Sequence, residues 1–370
     1  MLTFTQHLNF MIVSLISHTE DRVTTRANAD EIESLVKTYG GVVCANSAQN
    51  AARADGATYI GTGKAYELAE QVAAEEINVV VINDNIKSSQ LYALKSIFEQ
   101  KKPNIQVWDR TDLILQIFEK HASTAEAKLQ IKLANVRHKG PEARDINASL
   151  SKQGFGVGAR GQGETNTTLL RRMWKEEMRS IQKQLETMSS NRAQQMEHRR
   201  RIGLPTISIV GYTNAGKSTL FNLLTKKNTK VENALFATLD SSVGKFYLPH
   251  MRREAFITDT IGFIQNLPTE LIDAFKSTLM ETVGADLLLH VIDMSDEQLW
   301  DKIAVVGEIL KSLKMQSKKK IYVFNKIDTA PNINMDQLSE QFFEFHPQFI
   351  SAKNGQSIPQ LVEAIQKELR

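Results

Sequence analysis

The chain has 370 residues, 42% hydrophobic and 24% charged, with 19 Gly and 8 Pro, which is more than one core holds and excludes collagen-like, disordered and coiled-coil-only chains. Lys+Arg 45 against Asp+Glu 42 leaves +3, so net charge alone selects neither a nucleic-acid nor a membrane partner. The one cysteine, Cys44, excludes an internal disulfide and a cysteine-built metal site, and fits a reducing cytoplasm.

In chain order, the apolar run Phe10–Ser17 comes first. It is far shorter than the roughly 20 residues a bilayer span needs, and no Lys or Arg precedes Arg22. It therefore reads as a buried strand and not as a leader or anchor. No membrane insertion is expected, while peripheral attachment stays open. Asp30–Tyr39 places Ile32, Leu35 and Val36 at helical spacing. Further helices are expected at Ala65–Glu76 and Leu91–Phe98, and strands at Val79–Ile82 and Ile105–Trp108. This alternation predicts an N-terminal α/β domain over residues 1–112.

From Leu113 to Arg137 the pattern is helical, through Leu113, Ile117, Ala127, Ile131 and Leu133. Gly140–Gly163 then carries Gly154, Gly156, Gly158, Gly161 and Gly163 with almost no apolar periodicity, and is expected to be a long functional loop. A second helix follows, striped by Leu170, Trp174, Met178, Ile181, Leu185 and Met188. The two helices read as an antiparallel hairpin over 113–203. The second is basic at both ends, with Arg171, Arg172 and Lys175, then Arg199, Arg200 and Arg201. Such a run is ordinarily a solvated face, yet beside a glycine loop with Lys152 and Arg160 it also suits a phosphate backbone. Gly203-Leu204-Pro205 ends the hairpin, and a further domain is expected over 204–370.

That last domain carries the chemistry. The strand Thr206–Val210 runs into Gly211-Tyr212-Thr213-Asn214-Ala215-Gly216-Lys217-Ser218, a GxxxxGKS followed by Thr219 and a helix with Leu220, Phe221, Leu223 and Leu224. Strand, glycine loop and helix N-terminus form the setting in which backbone N–H groups surround phosphates. Lys217 is expected on the β- and γ-phosphates and Ser218 on Mg²⁺. The strand Glu254–Thr258 leads to Asp259-Thr260-Ile261-Gly262, whose Asp can hold Mg²⁺ through water while the Gly262 N–H senses the γ-phosphate. Ile321–Phe324 leads into Asn325-Lys326-Ile327-Asp328. The Asp328 carboxylate can accept both N1–H and the 2-amino group of guanine, whereas adenine would leave it unpaired. Finally, Phe349-Ile350 leads into Ser351-Ala352-Lys353, where the Ala352 N–H could donate to guanine O6. Together these segments specify GTP and GDP, not merely a triphosphate.

The second Mg²⁺ ligand is expected to be a threonine between Lys227 and Gly244. Thr238 in Phe236-Ala237-Thr238-Leu239-Asp240 is preferred over Thr229, which falls where the preceding helix is barely finished. The residues assigned directly to hydrolysis are Lys217, Thr238 and Gly262. Phe263 stands where many GTPases place a water-orienting glutamine, so slow intrinsic hydrolysis, completed by a partner, is expected. Gln265 is a nearby alternative.

These motifs resemble those of the HflX family of GTPases. GYTNAGKSTL (211–220) is similar to its phosphate loop, FATLD (236–240) to its first switch, and DTIGFIQNLPTELIDAFKSTLMET (259–282) to its second switch. DRTDLILQIF (109–118) and KLQIKLA (128–134) resemble its helix before the G domain, and GQGET (161–165) its glycine-rich loop. The resemblance implies an N-terminal α/β domain, a helical hairpin and a Ras-like P-loop G domain. It also implies a cytoplasmic, partner-stimulated, Mg²⁺-dependent GTP hydrolase that binds the large ribosomal subunit, with the hairpin loop against rRNA, and dissociates stalled 70S ribosomes under stress. Two rivals are a ribosome-assembly GTPase and a nucleotide-gated regulatory module. Monomer is the default. Gly61-Thr62-Gly63-Lys64 lacks the GxxxxGK spacing, which argues against a second, N-terminal ATP site.

Overall fold

A computed structural model describes residues 7–17, 22–152, 160–227, 235–236, 242–265, 271, 282–329, 334–345 and 347–370. The chain divides into two compact units, one of residues 1–120 with 129–184 and the other of 121–128 with 185–370.

The first unit is built on a parallel sheet of β1 (Asn9–Ile16), β2 (Val42–Asn50), β3 (Val79–Ile82) and β4 (Gln106–Trp108), in the order β2-β1-β3-β4. Helices α1 (Arg22–Tyr39), α2 (Thr62–Ala74) and α3 (Ser88–Glu99) alternate with these strands. β3 sits inside the sheet and is wholly apolar, as a strand covered on both faces must be. Edge strand β2 is not among the sequence expectations. Its apolar stretch Val42–Ala45 is short and only Ala45 of the strand is buried, so pairing with β1 supplies the order.

Helix α4 (Arg110–His121) begins with a reciprocal cap. The Asp112 N–H donates to Asp109 Oδ1 at 2.8 Å, and the Asp109 N–H donates to Asp112 Oδ2 at 3.3 Å. Arg110 joins the same hub through Glu31 at 3.0 Å and Asn83 at 2.8 Å. From α5 (Ala125–Lys152), His138 Nε2 lies 3.2 Å from Asp109 and 3.7 Å from Asp112. Burial opposes charge on this imidazole, but hydrogen bonds to both carboxylates outweigh it and raise the pKa from 6.5 to about 10. The clasp therefore stabilises fully below pH 6.5 and loses its contribution as pH rises toward about 10. His138→Ala is expected to cost about 3 kcal/mol at neutral pH, since it strands a buried carboxylate. Chemical denaturation of both proteins across pH 6–10 checks this, and the difference should shrink at the alkaline end.

Helices α5 and α6 (Arg160–Arg201) are antiparallel, with Lys132 3.0 Å from Glu177 and Gly140 against Trp174. From Trp174 to Met188 the expected stripe forms the better buried face of α6, with Ile181 at 2% exposure. The long loop over Gly140–Gly163 is corrected: α5 continues to Lys152, and GQGET lies in the first turns of α6. Gly140 is a close-packing position, because a Cβ there would overlap the Trp174 indole. Glycine costs a helix only about 1 kcal/mol per residue, so composition alone overstated the break. Gly154, Gly156 and Gly158 lie outside the described residues.

The second unit has a six-stranded sheet ordered β10-β9-β8-β5-β7-β6. Its strands are β5 (Thr206–Gly211), β6 (Ser242–Leu248), β7 (Arg253–Asp259), β8 (Leu287–Asp293), β9 (Lys320–Asn325) and β10 (Gln348–Phe349). All pairings are parallel except β6 with β7. Helices α7 (Lys217–Thr225), α8 (Leu299–Ser312), α9 (Met335–Gln341) and α10 (Ile358–Glu368) belong to this unit. Leu361 and Ile365 of α10 pack with Ile207, Leu289 and Val323 in its core. β5 lies between β7 and β8, so the chain leaves it toward one side and returns on the other. Open α/β sheets bind ligands at such a switch point, outside the carboxyl ends of the strands. No described helix is long and apolar enough to cross a membrane.

Candidate functional site

The motif segments after β5, β7, β9 and β10 sit at the carboxyl end of this one sheet. Gly211–Ser218 follows β5, Asp259 ends β7, Asn325 ends β9, and Ser351 and Ala352 follow β10. Register brings the ends together: Ile209 stands opposite Asp259, Gly211 opposite Val291, and Asp293 opposite Asn325.

The loop's geometry needs glycine. Gly216 has φ +92°, and a Cβ there would strike the Asn325 amide. Lys217 is buried and its ammonium donates to the Tyr212 carbonyl at 2.6 Å. Burial pulls its pKa down to about 8, with Asp259 working in the opposite direction. The Ser218 hydroxyl donates to Asp259 Oδ2 at 2.6 Å. Thr213 Oγ1 is buried and takes no hydrogen bond among the described residues.

Asn325 holds three segments at once. Its Nδ2 donates to the Ala215 carbonyl at 2.9 Å, and its Oδ1 accepts the Ala352 N–H at 2.9 Å. The donor expected on guanine O6 is thus engaged by Asn325 in this arrangement. Lys326 pairs with Asp293 at 2.6 Å, while Asp328 is exposed on the turn after β9 and Lys353 on the turn after Ala352. The Thr260 hydroxyl donates to the Ile209 carbonyl at 2.6 Å, which anchors the DTIG segment to β5. Gly262 is tightly enclosed: a Cβ would stand 2.6 Å from Thr213 Cγ2 and 3.0 Å from Lys217 Nζ.

Phe236 is described and buried, whereas Ala237, Thr238, Leu239 and Asp240 lie outside the described residues. Phe263 is 2% exposed, so its ring belongs to the core and orients no water. Two further residues escaped the sequence reading. Asp293 ends β8 and holds Lys326, a place legible only from where β8 sits in the sheet. His290 is buried in the same strand, its ring tilted against that of Tyr322 with centroids 5.1 Å apart. Burial, then Lys320 and Lys217, push its pKa down to about 3, so it is neutral beneath the loop.

Comparison with known proteins agrees along the chain. A family described as "GTP-binding GTPase N-terminal" matches residues 26–119, "GTP-binding GTPase Middle Region" matches 121–199, and "50S ribosome-binding GTPase" matches 206–326. GTPase HflX of Caldanaerobacter subterraneus subsp. tengcongensis is 38% identical over 362 residues, 97% of this chain and 80% of that protein. GTPase HflX of Escherichia coli K12 is 38% identical over 315 residues, 84% of this chain and 72% of that protein. In fold, the chain is similar to a GTP-binding protein of Sulfolobus solfataricus solved in complex with GDP. The TM-score is 0.50 at 22% identity, over 97% of this chain and 98% of that one. With such identity over nearly its whole length, and a P-loop domain built as the motifs require, the chain belongs to the HflX family of GTPases.

Proposed function

We propose that this HflX-family GTPase couples the state of a guanine nucleotide to binding of the large ribosomal subunit, and dissociates stalled 70S ribosomes. The observation that carries the nucleotide half is the convergence of Gly211–Ser218, Asp259–Gly262, Asn325–Asp328 and Ser351–Lys353 at one sheet end, cross-linked by Asn325. Phosphates would lie on the loop, where Lys217 would exchange the Tyr212 carbonyl for phosphate oxygens. Asp328 would read N1–H and the 2-amino group of guanine, and Ser351–Lys353 would close over the base.

The Ser218 hydroxyl and Asp259 carboxylate, 2.6 Å apart, are a hard oxygen pair that fits Mg²⁺. The ion supplies charge neutralisation on the β- and γ-phosphates. Ser218 would ligate it, Asp259 would orient its water, and Thr238 would complete the protein's share. Lys217, Thr238 and Gly262 would stabilise the transferring phosphoryl group, and no side chain at position 263 positions the attacking water. Intrinsic turnover is therefore slow and rises when a partner completes the site.

For the ribosomal half, support comes from the match of residues 206–326 to a 50S ribosome-binding GTPase family and from α6. Arg171, Lys175 and Arg179 are exposed at four-residue spacing, which sets them along one face for phosphate contact. We assign residues 1–112 to the N-terminal domain, 113–203 to the hairpin and 204–370 to the G domain, in a monomeric cytoplasmic protein. The test is GTP turnover by the purified protein alone, with isolated large subunits, and with intact ribosomes. Strong stimulation by large subunits is expected. No stimulation with nucleotide binding intact would overturn the ribosomal coupling in favour of a regulatory module.

A further inference from the structure

One side chain fastens the phosphate loop to the segment after Asp259 in a way no motif demands. Tyr212 is 7% exposed. Its Oη accepts the Gln265 N–H at 2.7 Å, and its backbone forms a parallel bridge with Phe263. On either side of it, the Thr213 N–H donates to the Phe263 carbonyl at 2.8 Å and the Phe263 N–H donates to the Gly211 carbonyl at 3.1 Å. The Lys302 ammonium lies 5.0 Å from the centre of the Tyr212 ring and is itself paired with Asp296. Residues 263–265 are thereby strapped to 211–213, and Gly262 is held within reach of Lys217.

We propose that Tyr212 is a positioning residue whose hydroxyl, by holding the Gln265 backbone, presets Gly262 beside Lys217 for the γ-phosphate. This rests on the guanine-nucleotide reading above. Of the three strap bonds named, two are backbone to backbone and the third is made by the Tyr212 hydroxyl. Its removal should therefore loosen the strap without dismantling the loop. A diphosphate does not reach Gly262, so the strap acts mainly on the triphosphate. It also keeps Phe263 packed in the core, so the residue in the usual glutamine position stays clear of the phosphates.

The test is Tyr212→Phe, which keeps the ring, its packing and the Lys302 contact. GDP affinity is expected to fall less than affinity for the triphosphate, and a thermal melt matching wild type reports an intact fold. Affinity for a non-hydrolysable GTP analogue, and the single-turnover rate of GTP hydrolysis, are each expected to fall about fivefold, the loss of one hydrogen bond. Wild-type values for analogue and rate would overturn the proposal. Equal loss of GDP and analogue affinity would also overturn it, because the hydroxyl would then brace the loop generally. Wild-type protein that binds neither nucleotide would instead overturn the guanine-nucleotide reading, and the strap with it.

Discussion

Replacing Lys217 with alanine is expected to lower affinity for GTP by about 100-fold or more, because charge-assisted contacts to β- and γ-phosphate oxygens are lost together, and for GDP by less, because only the β contact is lost. The fold should survive. In the nucleotide-free arrangement the ammonium is buried with a carbonyl as its hydrogen-bond acceptor, and burial holds its pKa down to about 8. Removing a poorly solvated charge relieves a burial cost, which offsets the loss of its bond to the Tyr212 carbonyl and of its attraction to Asp259. Fluorescence titration with labelled nucleotide, alongside a thermal melt, separates the two effects. Normal GTP affinity in the variant would refute the phosphate-loop assignment. The wild type carries a pH signature of the same residue. Below pH 8 the lysine is already charged and affinity is flat. Above it, binding must take up a proton, and affinity should fall by about tenfold per pH unit.

Asp328→Asn is expected to move base preference from guanine to xanthine. The carboxylate accepts from two guanine donors, N1–H and the 2-amino group. An amide offers one acceptor and one donor, which suits N1–H and the 2-oxo group of xanthine. Two hydrogen bonds to a charged acceptor predict a loss of about 100-fold or more for GTP, with XTP gaining correspondingly. Asp328 is exposed on its turn, so the exchange should leave the fold unchanged. Competition between GTP and XTP for each protein is the measurement, and an unchanged preference would contradict the base assignment.

The two substitutions probe opposite ends of a site whose halves are joined by Asn325. The asparagine's amide touches both flanks, at Ala215 and Ala352. Loop and base-side segments therefore share one buried hinge point, 2% exposed. This is a physical route by which occupancy at one end can set geometry at the other.

The motifs were legible in the sequence because each couples a short run of fixed residue types to an adjacent apolar strand, and both signals are local. Asp259 and Asn325 were located relative to their strands to within a residue, and β3 and β9 announced themselves as continuous apolar runs. Strands β2 and β6 did not, because their order comes from pairing with a neighbour and only part of each strand is buried. The hairpin's break was overestimated for a related reason. Glycine content measures local propensity, whereas Gly140 lies in a helix whose neighbour's Trp174 occupies the space a side chain would need.

By itself, then, the sequence determined the chemical vocabulary of this protein: a phosphate loop, a switch aspartate, a base-reading carboxylate, and a family resemblance strongest in the G domain. Tertiary structure alone decided which groups meet. It placed Ser218 on Asp259, Asn325 between two loops, Asp293 on Lys326, His138 between two aspartates, and Tyr212 on Gln265. None of these pairs is close in sequence. Their distances are set by sheet order, strand register and helix packing, which are properties of the whole folded chain and not of any window along it.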